Sequence, residues 1–193
     1  IDCAVFTNLH REHLESHGSF ENYMAAKQKL FLKTSGIHIF NIDDPYFEKF
    51  ANFPARRKVT FGKEFGDITL KIENQRAQVC VRGRALNFIK RSDLKLKILG
   101  DFNVQNALAA LAVASVYNLD LGKAVDSLNA IESIPGRMEI LRSSKGFDIV
   151  IDYAHTPDSL ELVYQTLRSR LQSEEVQPQE PQEVEPLNKL ICV

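Results

Sequence analysis

The segment His10-Arg11-Glu12-His13-Leu14-Glu15-Ser16-His17 carries three imidazoles and two carboxylates within eight residues, a set that could ligate a divalent cation. No His is followed directly by Glu, so this is not the HExxH zinc helix, and a polar surface loop would look similar. Lys27 offers a second kind of chemistry. Phe20, Tyr23 and Met24 precede it by seven, four and three residues, and Leu30 and Phe31 follow by three and four. That spacing puts Lys27 on the apolar face of a helix. Burial there would disfavour its ammonium and leave an amine able to act as a nucleophile or to take up carbon dioxide as a carbamate. The bland alternative is a lysine that snorkels outward.

Two further groups could hold a nucleotide. In Gly100-Asp101-Phe102-Asn103-Val104-Gln105-Asn106-Ala107, a polar turn opens an apolar helix. Helix N-terminal amides attract anions, and the carboxamides of Asn103 and Asn106 share a face on which a base edge could be read. Ordinary capping by Asp101 or Asn103 explains the same residues. Arg137, after Gly136, could hold a phosphate in two-pronged fashion. Fifteen residues on, Asp152-Tyr153-Ala154-His155-Thr156-Pro157 places an acid that could accept from sugar hydroxyls. A surface ion pair is the simpler use of either charge.

These groups need a scaffold, and the apolar pattern predicts one. Cys3 to Thr7 reads as a buried strand, about Phe20 to Phe31 as a helix started by Gly18 and Ser19, and Gly36 to Ile42 as a strand. Asp43-Asp44-Pro45 is a turn into a short helix, and Lys58 to Phe61 is a further strand. Strand-helix alternation of this kind predicts parallel crossover units. Period-2 runs at Ile68 to Ile72, Ala77 to Val81 and Leu94 to Ile98 predict a small antiparallel sheet. Ala107 to Val116 is too apolar for a surface helix, and Leu121 to Ile131 is a second helix.

Pro135-Gly136 marks a boundary, giving domains over 1–134 and 135–193. Beyond it, strands are expected at Met138 to Arg142 and Phe147 to Ile151, then a helix with Thr156 as N-cap and Pro157 at its first position. The Glu, Gln and Pro of 173–186 predict an unordered loop before a closing strand, Leu190 to Val193.

The 193 residues carry 24 basic and 25 acidic side chains, a net charge of −1. No basic surface advertises nucleic acid or an anionic membrane, and no apolar run is long enough for a membrane helix. Three scattered cysteines, Cys3, Cys80 and Cys192, fit a reducing cytoplasm better than a disulfide framework. Without an initiator Met, and opening and closing on apparent strands, the chain reads as cut at both ends.

Taken together, Phe6-Thr7-Asn8-Leu9, the run from His10 to Gly18, Ala25-Ala26-Lys27, Gly100 to Asn106, Gly136 to Glu139 and Asp152 to Pro157 occur in the order found in the MurE family of Mur ligases, which the chain closely resembles. The resemblance implies an α/β fold: a Mur ligase central domain with a mostly parallel sheet and a small antiparallel subsheet, then the beginning of a Rossmann-like C-terminal domain. It implies an ATP-dependent ligase of peptidoglycan precursor synthesis that joins a diamino acid, here expected to be meso-diaminopimelate, to UDP-MurNAc-L-Ala-D-Glu through an acyl phosphate. In the family the matching Lys is carbamylated and, with the His matching His13, helps hold Mg2+ beside the ATP γ-phosphate. By the same resemblance Asn103 and Asn106 face adenine, Arg137 the phosphates and Asp152 the ribose, with His155 close to the nucleotide. The implied protein is a cytoplasmic monomer that neither binds nucleic acid nor inserts into membranes.

The chain departs from the family pattern at Glu12, where the family usually has Asp. It also lacks a GxxxxGK[ST] phosphate loop in its 193 residues, which leads us to expect a piece inactive alone. Rival readings are another ligase of the superfamily such as folylpolyglutamate synthase, a non-catalytic nucleotide-binding relative, and a metal hydrolase built on His10, His13 and His17.

Overall fold

A computed structural model describes residues 1–12, 14–73, 76–81, 92–175 and 190. The chain divides into two compact units, one of Ile1–Lys97 with Phe102–Glu132, the other of Ile98–Asp101 with Ser133–Val193.

The first unit opens β1 (Cys3–Phe6), α1 (Leu14–His17), α2 (Phe20–Leu32), β2 (Ile37–Asn41), α3 (Phe47–Ala51), β3 (Arg57–Gly62). Strands β1, β2 and β3 lie parallel, with Val5 opposite Ile39 and Ile39 opposite Val59, as the alternation predicts. Helix α2 begins where Ser19, extended at φ −151°, accepts from the Asn22 N–H at 3.1 Å. That is the N-cap arrangement that satisfies an otherwise orphaned helix donor. Gly36 lets β1 and β2 meet, since a Cβ there would run into the Asp2 carbonyl oxygen, which accepts from Ile37 N–H at 2.9 Å.

The sheet continues without a break into β4 (Ile68–Glu73), β5 (Arg76–Val81) and β6 (Ser92–Asp93), six strands in sequence order. The small antiparallel sheet expected from the period-2 runs is therefore the far half of one mixed sheet. The join lies at β3 and β4, where Asp67 accepts from the Thr60 N–H at 2.9 Å and hydroxyl at 3.0 Å. The strand expected over Leu94 to Ile98 does not form; β6 ends at Asp93. Helices α4 (Asp101–Val116) and α5 (Leu121–Ala130) follow, and Asn129 of α5 explains the early end. Its carboxamide oxygen takes the Lys95 N–H at 2.6 Å and its nitrogen donates to the Asp93 carbonyl at 3.0 Å, replacing a strand partner. Helix α4 starts at Asp101, so the residues read as a polar turn are its first turns.

Both faces of the sheet are covered, as parallel strands require. Ile39, Val59, Phe61, Ile68 and Val79 pack with Leu108, Leu111 and Ala112 of α4 and Val125 of α5. Ala4, Phe6 and Phe40 pack on the other face with Tyr23 and Phe31 of α2 and Phe50 of α3. Full burial of each such large side chain contributes about 1.5–3 kcal/mol, so these two clusters hold the sheet and set its rim.

In the second unit β7 (Glu139–Arg142) and β8 (Asp148–Ile151) form an antiparallel pair followed by α6 (Pro157–Glu175). Val163 and Leu167 of α6 are buried. Because α6 runs to Glu175, Ser173 to Glu175 are helical rather than the start of a loop; the rest of the expected 173–186 loop and residues 191–193 of the closing strand lie outside the described residues. Leu190 alone of that strand is described, and it is not in a strand. Among the described residues no helix is long and apolar enough to cross a membrane.

Candidate functional site

The loop leaving β1 is fixed from across the sheet by two buried polar side chains. Asn41, at the end of β2, donates to the Thr7 carbonyl at 2.8 Å and accepts from Asp43 N–H at 3.0 Å. Asp44, 7% exposed, accepts from Leu9 N–H at 3.0 Å and Tyr46 N–H at 2.8 Å. Each caps a local Asx-type turn while also reaching the β1 loop. Sequence reasoning took Asp43-Asp44-Pro45 as a turn and missed this second task, although the crowding of Asn and Asp before Pro was the visible signal.

The loop so held forms one wall of a cleft of about 330 Å³. Thr7, Asn8, His10, Glu12 and Lys27 give it a polar mouth, while Phe6, Tyr23, Phe31 and Phe50 give it an apolar floor. His10, Glu12 and Lys27, from two of the sequence-predicted groups, are thus brought together. Lys27 lies on the Tyr23–Phe31 stripe of α2 as the spacing predicts, but it is exposed. Of the two alternatives, burial and outward snorkelling, the exposure agrees with the second: at this point the stripe passes over the cleft mouth, and the amine stands 5.3 Å from the Tyr23 ring centre. A cation above an aromatic face is attracted by the ring quadrupole.

The imidazole cluster does not gather among the described residues. His10 lines the cleft, whereas His17 packs its ring 5.3 Å from that of Tyr23; His13 lies outside the described residues. Among the described residues no three His, Cys, Asp or Glu side chains could hold a metal ion together. Beside the His10 imidazole and the Lys27 amine, the mouth offers a carboxylate, a hydroxyl and a carboxamide, hard oxygen donors of the kind Mg2+ takes when substrate phosphates and water complete its shell. The residues present therefore fit Mg2+ carried with a nucleotide better than a self-contained metal centre.

On α4, Asn103 is 4% exposed while Asn106 is exposed, and the Asn106 amide nitrogen donates to the Asn103 carboxamide oxygen at 3.3 Å. The shared face is real, and Asn106 is the member that solvent can reach.

In the second unit the chemistry-bearing residues converge on the start of β7 and the end of β8. The Arg137 N–H closes a turn on the Ile134 carbonyl at 2.9 Å, with Gly136 at φ 67°, the left-handed position a type II turn demands. Met138 follows in the same region at φ 46°, where a side chain is strained. Asp152 compensates by accepting from Met138 N–H at 2.8 Å, and with its other oxygen from Ala154 N–H at 2.7 Å. Arg137, Asp152 and His155 therefore stand together. Both Asp152 oxygens already hold backbone, so any sugar hydroxyl would use its remaining lone pairs. His155 donates from Nδ1 to the Tyr153 carbonyl at 2.9 Å, leaving Nε2 outward. Tyr153, which carried no role in the sequence reading, has the Arg137 guanidinium over its ring and meets the His155 ring edge-on.

With this geometry in view, comparison with known proteins is specific. The family model for the Mur ligase middle domain matches residues 1–114, and that for the Mur ligase, glutamate ligase domain matches residues 136–177. UDP-N-acetylmuramoyl-L-alanyl-D-glutamate--2,6-diaminopimelate ligase 1 of Clostridium acetobutylicum is 40% identical over 175 residues, covering 86% of this chain and 34% of that protein. A solved UDP-N-acetylmuramoyl-L-alanyl-D-glutamate--2,6-diaminopimelate ligase superposes with a TM-score of 0.64 at 32% identity, over 87% of this chain and 36% of that one. MurF of Thermotoga maritima, solved in complex with ADP, superposes with a TM-score of 0.66 over 86% of this chain and 39% of that one. Its 24% identity bears on the fold alone. The chain spans about a third of the length of the curated relatives it matches.

Proposed function

The chain belongs to the Mur ligase family, and from that premise we propose that it is part of a MurE-type ligase, adding a diamino acid to UDP-MurNAc-L-Ala-D-Glu at the expense of ATP. We propose residues 1–134 as part of its central domain and 135–193 as the start of its C-terminal domain, in a cytoplasmic monomer. The observation that carries the reading is the cleft where Lys27, Glu12 and His10 meet at the end of β1, in a chain 40% identical to a diaminopimelate ligase. That relative's name, and not the cleft, points to meso-diaminopimelate as the amine.

Amide formation from a carboxylate needs a leaving group. The substrate carboxylate attacks the γ-phosphorus of ATP, the bond to the bridging oxygen breaks, and ADP leaves an acyl phosphate. The amine then attacks the acyl carbon, loses a proton and expels inorganic phosphate. Mg2+, when bound, neutralises charge on the phosphates. The chain's own residues orient and balance charge around this. Lys27, with its amine at an open cleft mouth, is accessible to carbon dioxide. Forming the N–C bond of a carbamate with loss of protons would turn a cation into a carboxylate beside Glu12. The carbamate and Glu12 would present two anionic donors to the metal and His13 a neutral imidazole, while Thr7 and Asn8 line the same mouth.

For the nucleotide, we assign Asn106, backed by Asn103, to the adenine edge, Arg137 to the phosphates, Asp152 to the ribose and His155 to the nucleotide's immediate surroundings. Exposure of Asn106, Arg137 and His155 supports these roles, since each offers a polar edge to solvent. The test is phosphate release from ATP by the full-length protein with UDP-MurNAc-L-Ala-D-Glu, comparing meso-diaminopimelate with L-lysine. Release that depends on meso-diaminopimelate is expected; release with lysine alone would reassign the amine, and silence with both would remove the MurE reading.

A further inference from the structure

Tyr153 is 66% exposed. The guanidinium of Arg137 lies over it, with its central carbon 4.8 Å from the ring centre. The His155 ring meets it at 5.1 Å and an interplanar angle of 71°, tethered by the bond from His155 Nδ1 to the Tyr153 carbonyl. Beneath this stack the backbone is fixed: Asp152 grips Met138 and Ala154, the residues that follow Arg137 and Tyr153.

Among the described residues no carboxylate pairs with Arg137; the ring is its partner. Stacking of this kind holds the guanidinium plane while leaving its N–H edge unused. We infer that Tyr153 is a positioning residue for Arg137, holding the guanidinium so that its N–H edge meets an anionic ligand, the phosphate chain of a nucleotide. This rests on the reading that Arg137 binds those phosphates. A long arginine left free would lose several rotamers on binding, and the ring removes that loss in advance. His155 also contacts the ring edge-on, so the three side chains act as one preset unit.

The experiment is calorimetric titration of ADP into the full-length protein and its Tyr153→Ala, Tyr153→Phe, Arg137→Ala and Tyr153→Ala/Arg137→Ala variants, with KM for ATP and kcat measured alongside. Tyr153 is exposed, so its truncation leaves the fold intact. Tyr153→Ala should weaken ADP about three- to fivefold and raise KM with kcat little changed, in keeping with the modest strength of exposed cation–π pairs. Tyr153→Phe, which keeps the ring, should stay within about twofold, and the double variant should bind no worse than Arg137→Ala, because Tyr153 acts through Arg137. Affinity lost equally in Tyr153→Phe, or losses that add in the double variant, would overturn the inference. So would unchanged binding in Tyr153→Ala while Arg137→Ala binds weakly, with the phosphate role of Arg137 left standing. Unchanged binding in Arg137→Ala would overturn both.

Discussion

Asp44 accepts the backbone N–H of Leu9 at 3.0 Å across 35 positions of sequence, tying the end of β2 to the loop that carries His10 and Glu12. Asp44→Ala would strand that buried donor and the Tyr46 N–H together, and hydrogen bonds to a charged acceptor contribute about 1.5–3 kcal/mol each. We expect a loss of about 2–4 kcal/mol in urea unfolding, with Asp44→Asn losing roughly half, since its single carbonyl oxygen can keep only one bond. A loss below about 0.5 kcal/mol, the scatter of ordinary surface substitutions, would show that the loop is held otherwise.

How far such ties can be read from sequence depends on their span. The α2 cap at Ser19, the parallel strands β1 to β3 and the buried α4 were legible because each follows from a local pattern of apolar spacing and cap chemistry. The strand expected at Leu94 to Ile98 failed because Asn129, 34 positions away from Lys95, captures the backbone donor a longer β6 would have used. Lys27 was placed on the correct stripe of α2, but the spacing left open whether it is buried or snorkels outward, since only the assembled sheet reveals that the stripe overhangs a cleft. The pairing of Arg137 with Tyr153 was likewise invisible, because it depends on Asp152 fastening two turns that no periodicity links.

Phe50 anchors the cleft floor. It stacks on Phe6 with ring centres 4.2 Å apart and meets Phe31 edge-on at 5.3 Å. Phe50→Ala should destabilise the protein by about 3–5 kcal/mol in denaturant titration, the range for emptying a buried aromatic site. A smaller loss than about 1 kcal/mol would mean that the cleft collapses to fill the space.

Cys3, on β1, has its thiol pushed above the ordinary range by burial. Its thiolate is therefore scarcer than that of a free thiol at the same pH, and the thiolate is the reactive form. Alkylation followed by peptide mass spectrometry should find Cys3 slower than a small thiol at neutral pH, with a rate still rising where the small thiol has levelled off. The same shift makes burial of the neutral thiol stabilising below the ordinary thiol pKa, an advantage lost as pH climbs through the raised value. Rapid labelling of native Cys3 at neutral pH would contradict this.

Lys27→Ala in the full-length protein should lower amide formation by about two to three orders of magnitude, comparable with removing one preorganised electrostatic element from an active site. Lys27→Arg should be as impaired, because it keeps the positive charge but cannot form the carbamate. Formate or acetate should restore part of the Lys27→Ala rate by lending a carboxylate to the mouth. An active Lys27→Arg enzyme would mean that the cation itself, and not its carbamate, is the working group.

The central claim is that this chain contributes to a ligase that activates a carboxylate as its acyl phosphate. Its most direct test is UDP-MurNAc-L-Ala-D-Glu carrying oxygen-18 in the glutamyl carboxylate that forms the amide, turned over by the full-length protein with ATP, Mg2+ and meso-diaminopimelate. The account predicts that each released phosphate carries one oxygen from that carboxylate; phosphate without substrate oxygen, released in step with product, would contradict it.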